Sequence, residues 1–281
     1  MISKPARTED AVLTPHQPAS RPPARSESVL DPRSGALTDR IGTRFAGRHP
    51  VLVAWVLTIG AYLLLALLMV GTGLLLTHVL QHGAVGRWDA NLDTWFVSRR
   101  TTALNAWTRA GSDLGATGTV IGVGTAVIVL LAIARRWREV GLIFFAVLLE
   151  VWVFVTTTFI VDRPRPAVPR LDAAPPTSSF PSGHVAAAIA LYVGLAIVIS
   201  TLVRNAVVRA IVWVVAVLVP VAVGLSRVYR GMHHPTDVLA SVLLGCGSLV
   251  ATIFAVRCAS AAARSKAANR THDRSPAQVR S

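Results

Sequence analysis

The sequence predicts an all-α fold, a bundle of six membrane-spanning helices. Three observations lead there. The chain has 281 residues, of which 53% are hydrophobic and only 15% charged, with a mean hydropathy of +0.55. Soluble domains run near a quarter charged, so much of this surface needs lipid as its solvent. Six apolar blocks recur along the chain, at about 51–78, 115–134, 140–161, 184–203, 206–225 and 236–256. Each reaches the roughly 20 residues that a helix needs to cross about 30 Å of hydrocarbon. The charges fall in the tails and between the blocks, as the loop charges of a membrane protein do.

Residues 1–49 come first. They hold Pro5, Pro15, Pro18, Pro22, Pro23 and Pro32, scattered arginines and no apolar period. Such a segment cannot bury enough surface to offset its ordering entropy, so a disordered basic tail is expected. It does not read as a cleavable signal, because the apolar run that starts near residue 51 is too long for an h-region. Residues 50–257 then form the membrane domain, and 258–281 a second basic tail.

The first block, 51–78, is a plain spanning helix. Between it and the second lies 79–114, where Trp88, Trp95 and Trp107 alternate with polar residues. That pattern suits an amphipathic stretch at the membrane surface, where indole is favoured. The second block carries Gly115, Gly118, Gly122 and Gly124, and the sixth Gly245 and Gly247. Small residues there suit close helix packing in lipid. The third block contains Glu150. A carboxylate inside a membrane is costly, so it reads either as functional or as protonated within the bundle.

The net charge of +14 suggests a nucleic-acid binder at first sight, but its placement excludes that reading. With the N-terminus in the cytoplasm, the N-tail, Arg135–Arg138, Arg204 with Arg209, and the C-tail hold 19 of the 28 Lys+Arg, against 9 on the other face. The positive-inside rule therefore puts both termini in the cytoplasm. Cys246 and Cys258 cannot build a disulfide framework and match no zinc spacing.

The segments left on the extracytoplasmic side are dense in polar groups. One reads Asp162-Arg163-Pro164-Arg165-Pro166 and later Phe180-Pro181-Ser182-Gly183-His184. The next runs from Ser226-Arg227 through His233 and His234 to Asp237. Arginine presents a fork that matches phosphate oxygens. Ser182 and Gly183 open the fourth block, where unpaired N–H groups and the helix dipole attract an anion. A neutral imidazole can attack phosphorus while a second, protonated one donates to the leaving oxygen. Asp237 lies one turn after His233 and could fix its tautomer. No pair of acidic residues forms an evident cage for a divalent cation, so a mechanism free of metal and cofactor is expected.

These motifs resemble the type 2 phosphatidic acid phosphatase superfamily of membrane lipid phosphatases. Its signatures are Lys-x6-Arg-Pro, Pro-Ser-Gly-His and Ser-Arg-x5-His-x3-Asp. The second matches at Pro181–His184 and the third at Ser226, Arg227, His233 and Asp237. The first matches only at Arg165 and Pro166, with Thr158 where the lysine would stand. The resemblance implies His233 as nucleophile, Asp237 as its orienting partner and His184 as acid and then base. It implies Arg165, Arg227, Ser182 and Gly183 as the phosphate cradle. Arg163 is near enough in sequence to supply the charge missing at Thr158. His234 and Asp162 have no part in the motifs, and Asp172 reads as solvated loop.

The expectation is therefore a multi-pass plasma-membrane phosphatase. It hydrolyses a lipid phosphate or diphosphate at the extracytoplasmic surface through a phosphohistidine. Its partners are that substrate and membrane lipids, not nucleic acid. The Ala-, Val- and Arg-rich composition points to a bacterial source. A phosphotransferase using the same phosphohistidine, a non-catalytic lipid-phosphate binder or transporter, and a vanadate-dependent haloperoxidase are the rival readings.

Overall fold

The computed structural model describes residues 29–32, 35–174 and 176–274, and these are helical or loop with no strand. The helices are α1 (Leu37–Arg44), α2 (Pro50–His78), α3 (Ala84–Val97), α4 (Thr102–Asp113), α5 (Thr117–Ile133) and α6 (Trp137–Ile160). After a long loop come α7 (Gly183–Ala188), a π turn (Ile189–Val193) and α8 (Gly194–Leu202), which form one run. Then follow α9 (Ala206–Tyr229) and α10 (Pro235–Arg274). The six apolar blocks each map onto a helix, and the first five do so within a few residues of the expected ends.

Among the described residues, five helical runs are long and apolar enough to cross a membrane. The second block is the exception. Helix α5 has 17 residues and covers only about 25 Å at 1.5 Å per residue. It completes a crossing only together with α4, from which it is bent by 43°.

Helices α2, α6 and α10 pack against one another as the central trio. Trp55 of α2 is wedged against Phe144, Phe145 and Trp152 of α6. Higher up, Leu65 and Met69 meet Leu149, Val153 and Leu244. A second core joins α5, α6 and the π turn through Val120, Ile143, Ile189 and Leu191. Large apolar side chains such as Leu64, Leu67, Phe159 and Val207 point outward, as helices bathed in lipid require.

The tail expected to be disordered through residue 49 is ordered in its described part. Leu30 is buried, and α1 lies across the far half of α10. Gly42 makes that crossing possible: a Cβ there would stand 2.5 Å from Ala261 Cβ and 2.7 Å from the Cys258 carbonyl oxygen. Asp31 also bridges Arg138 at 2.6 Å and Arg264 at 3.2 Å. Residues 1–28 lie outside the described part. The C-terminal boundary shifts as well. Helix α10 runs through residue 257 without a break to Arg274, and Cys258, Ala259, Ala261 and Ala262 are buried. The stretch is rich in alanine, the best helix former, and has no Gly or Pro to stop it.

Candidate active site

All three signature stretches meet at one end of the bundle, where α9 turns into α10. That turn is built on Gly231. Its φ of +71° is the left-handed conformation that glycine tolerates best. Met232 N–H reaches the Arg227 carbonyl at 3.0 Å and Gly231 N–H the Val228 carbonyl at 2.9 Å. This double bond pattern caps the carbonyls at the end of α9 and delivers His233 directly after the turn. Pro235 then opens α10 at a position where the missing N–H costs nothing. Asp237, two residues on, accepts the His234 N–H at 2.9 Å and so caps the helix start.

His233 is buried, and its Nδ1 lies 2.6 Å from the Ser179 carbonyl oxygen. A carbonyl can only accept, so Nδ1 carries the proton and Nε2 holds the free lone pair. Burial, and then the neighbouring Arg227 and Arg165 cations, hold the imidazole pKa well below 6.5, outweighing the opposing Ser179 bond. The ring is therefore neutral at physiological pH. The expected bond from His233 to Asp237 is not made: the two stand 4.0 Å apart. Asp237 instead accepts the Ser179 hydroxyl at 2.8 Å, so it holds the residue that holds His233.

Arg163, expected beside the phosphate, sits deep among acidic groups. Its side chain is 2% exposed and lies between two carboxylates. Nη2 bonds Asp89 at 2.9 Å, while Nη1 bonds Thr236 at 2.8 Å and Asp237. Both Nη groups of Arg163 are thus taken by Thr236 and the buried carboxylates, while its Nε is buried with no partner among the described residues. Thr158 itself turns its hydroxyl back onto the Phe154 and Val155 carbonyls of its own helix.

The other residues expected to bind phosphate carry open donors. Arg165 Nη1 is anchored on the Met232 carbonyl at 2.7 Å, and Arg227 Nη1 on Ser112 Oγ at 2.9 Å. In both, Nε is buried with no partner among the described residues, as is the Ser182 hydroxyl. A buried donor left unbonded costs about 1–3 kcal/mol. Three such donors within one site fit a place where an anion binds. Ser182 N–H bonds Ser241 Oγ at 2.8 Å, tying the Pro-Ser-Gly-His loop to α10. A Cβ at Gly183 would stand 2.8 Å from the Phe154 ring, so only glycine fits there. His184 borders a cavity of about 410 Å³, together with Arg227 and Arg230.

Sequence reading missed the contribution of α3 and α4. Asp89 accepts Thr236 N–H at 3.1 Å and its hydroxyl at 2.6 Å, besides Arg163. Asp93 meets His234 Nδ1 at 2.8 Å. Burial works against a charged His234, but the Asp93 bond and the nearby Asp237 outweigh it and raise the pKa. Trp88 and Trp95 of the same helix stay exposed, as an interfacial helix requires. On α4, Asn105, Thr108 and Ser112 fall on one face and bind Tyr229, Arg230 and Arg227. The only sequence signal was spacing: Asp89 and Asp93 are one turn apart.

Asp172 is no free loop residue. It accepts Arg230 Nε at 2.6 Å, and this bond first, together with the Arg230 and Arg227 charges, holds its carboxyl below the usual range. Asp162 is exposed. Glu150 is buried, with Oε1 unpartnered. It lies ten residues, about 15 Å, below the end of α6 and so far from these groups.

Residues 139–258 match the model of the PAP2 superfamily, which agrees with the resemblance carried by the signatures. No curated protein sequence matches the chain. Among solved structures, it is similar to the transmembrane PAP2 type phosphatidylglycerolphosphate phosphatase from Bacillus subtilis. The TM-score is 0.57 at 24% identity, over 73% of this chain and 94% of that one. Aquifex aeolicus LpxE aligns with a TM-score of 0.44 at 24% identity, over 59% of this chain and 93% of that one. The likeness to the Bacillus subtilis protein is one of fold.

Proposed function

With residues 139–258 matching the PAP2 superfamily, we propose that this protein is an integral membrane phosphatase that hydrolyses a lipid phosphate or diphosphate through a phosphohistidine, without a metal. The observation that carries the reading is the 2.6 Å contact between His233 Nδ1 and the Ser179 carbonyl, on a buried and neutral ring. It leaves Nε2 as the nucleophile.

In the first step Nε2 of His233 attacks phosphorus and the bond to the leaving oxygen breaks. His184 gives that oxygen a proton. The open donors of Arg165, Arg227 and Ser182 meet the charge that builds on the phosphoryl oxygens, and fixed donors of this kind are the largest contributors to such reactions. Gly183 N–H, at the start of a long helical run, adds to them. In the second step His184, now neutral, takes a proton from water. The water oxygen attacks phosphorus, the N–P bond breaks, and phosphate leaves. Asp237 acts through Ser179 and the start of α10 and does not touch the reacting atoms.

The membrane setting fits a substrate whose tail stays in lipid while its head enters the site. The arginine balance of the loops, above all Arg135, Arg136 and Arg138, supports an extracytoplasmic site and cytoplasmic termini in a plasma membrane. The test is phosphate release by purified protein from a panel of lipid phosphates and diphosphates, with EDTA present. A radiolabelled phosphoryl group should remain on the protein after a brief reaction and be absent from His233→Ala. Release unaffected by His233→Ala would overturn the mechanism.

A further inference from the structure

Beside His184 lies the polar cavity of about 410 Å³, bordered by Arg109, Asp113, Asp172, Arg227 and Arg230. Under the reading above His184 protonates the leaving group, so this cavity is where the leaving group sits. Its charges are informative. Arg230 is bound to Asp172, to Thr108 at 3.2 Å and to the Asn105 carbonyl at 3.0 Å. Arg227 is held by Ser112 and, at 3.5 Å, by Asp172. Arg109 is different. It is exposed, it reaches Asp172 only as a charge through space, and among the described residues it makes no hydrogen bond or ion pair. Asp113 borders the same space, so three arginines face two carboxylates and one positive charge is in excess.

Helix geometry explains why Arg109 is there. Asn105, Thr108 and Ser112 dock α4 onto the end of α9, and position 109 falls on the edge of that same face. The docking fixes where the guanidinium begins, while its head stays open to a ligand. A neutral alcohol leaving group has no use for a free cation beside it. A leaving group with its own phosphate does, because guanidinium matches phosphate oxygens in a bidentate way.

We propose that Arg109 binds a second phosphate, carried by the leaving group, and that the enzyme prefers such lipids over simple lipid monophosphates. This rests on the phosphatase reading of the site. In a lipid diphosphate the terminal phosphoryl passes to His233 Nε2 and the bond to the bridging oxygen breaks. That oxygen takes the His184 proton, and the lipid monophosphate leaves with its charge against Arg109. The second phosphate can equally be the diester of a phosphatidylglycerol phosphate head.

The test compares pairs that share a tail: farnesyl diphosphate with farnesyl monophosphate, and phosphatidylglycerol phosphate with phosphatidate. The unaltered protein should favour the member with two phosphates of at least one pair in kcat/KM, and the pair that responds tells which source is used. Arg109→Gln should cut that member by about ten- to a hundredfold, the value of one lost charge-assisted bond, and leave the monophosphate unchanged. Arg109→Lys should recover part of the loss. Equal rates within both pairs, or an equal fall on both members in Arg109→Gln, would overturn the proposal while leaving the phosphatase reading standing. No release by the unaltered protein from any of the four would overturn both.

Discussion

His233 points its Nδ1 at the carbonyl of Ser179, 2.6 Å away, and stands 4.0 Å from the nearest oxygen of Asp237. The carboxylate that the motif pairs with this histidine thus works at one remove. It binds the Ser179 hydroxyl and the N-terminal turn of α10, and Arg163 neutralises it.

Asp237→Asn should therefore act mainly on stability. It removes one member of a buried ion pair and leaves Arg163 with Asp89 alone. Breaking a buried pair in this way costs about 3–5 kcal/mol. The thermal midpoint of the detergent-solubilised protein should fall by several degrees. Where the variant stays folded, kcat should drop by less than in His233→Ala. A variant as stable as the parent but as inactive as His233→Ala would show direct action on the imidazole.

Arg163→Ala should behave in the same way and not as a loss of substrate binding. Its guanidinium is 2% exposed and faces Asp89, Asp237 and Thr236. Removing it strands two buried carboxylates. Thr158→Lys should not restore activity in that background, because the lost charge belongs to the buried network. A folded Arg163→Ala protein with a raised KM alone, rescued by Thr158→Lys, would contradict this.

The pH profile follows from His233. Its folded pKa lies well below 6.5 because of burial and the Arg227 and Arg165 charges. The nucleophile is thus already neutral at pH 6.5, and the acid limb of kcat/KM that belongs to it should fall below that value. Arg165→Gln removes one repelling cation, so it should move this limb upward. The linkage to stability has a definite sign. The unfolded chain takes up a proton near 6.5 and the folded one does not, so this group's contribution is complete above 6.5 and is lost as pH falls from there. Thermal midpoints measured between pH 7 and 5 should decline over that window in the wild type.

Sidedness is testable with single cysteines in a protein whose Cys246 and Cys258 are replaced by serine. Thr177, in the loop between α6 and α7, and Ala206, at the start of α9, are both exposed. Thr177→Cys should react with an impermeant thiol reagent added to intact cells, and Ala206→Cys should not. The reverse pattern would turn the site to the cytoplasm.

Much of this architecture was legible in the sequence. Apolar runs report helices in lipid directly, so 51–78 and 206–225 foretell Pro50–His78 and Ala206–Tyr229. The motif spacings foretell that Arg165, Ser182, His184 and His233 gather at one end. Other features were hidden because their cause is remote in sequence. Nothing around Asp89 announces that Arg163 and Thr236 will cover it. Likewise Leu37–Arg44 carries no signal of its own, and it is ordered by the flat alanine face of α10 that Gly42 fits.

The network around Asp89 also bears on how much chain is needed to keep the site intact. The superfamily match begins at residue 139, yet Asp89 and Asp93 precede it, as does Ser112. Cut at that point, the remainder would keep every signature residue. It would lose one of the two counterions of Arg163, the Ser112 acceptor for Arg227 and the Asp93 partner of His234. The smallest fragment that can hold this chemistry therefore reaches back at least through α3, because charges of the N-terminal half face the other half.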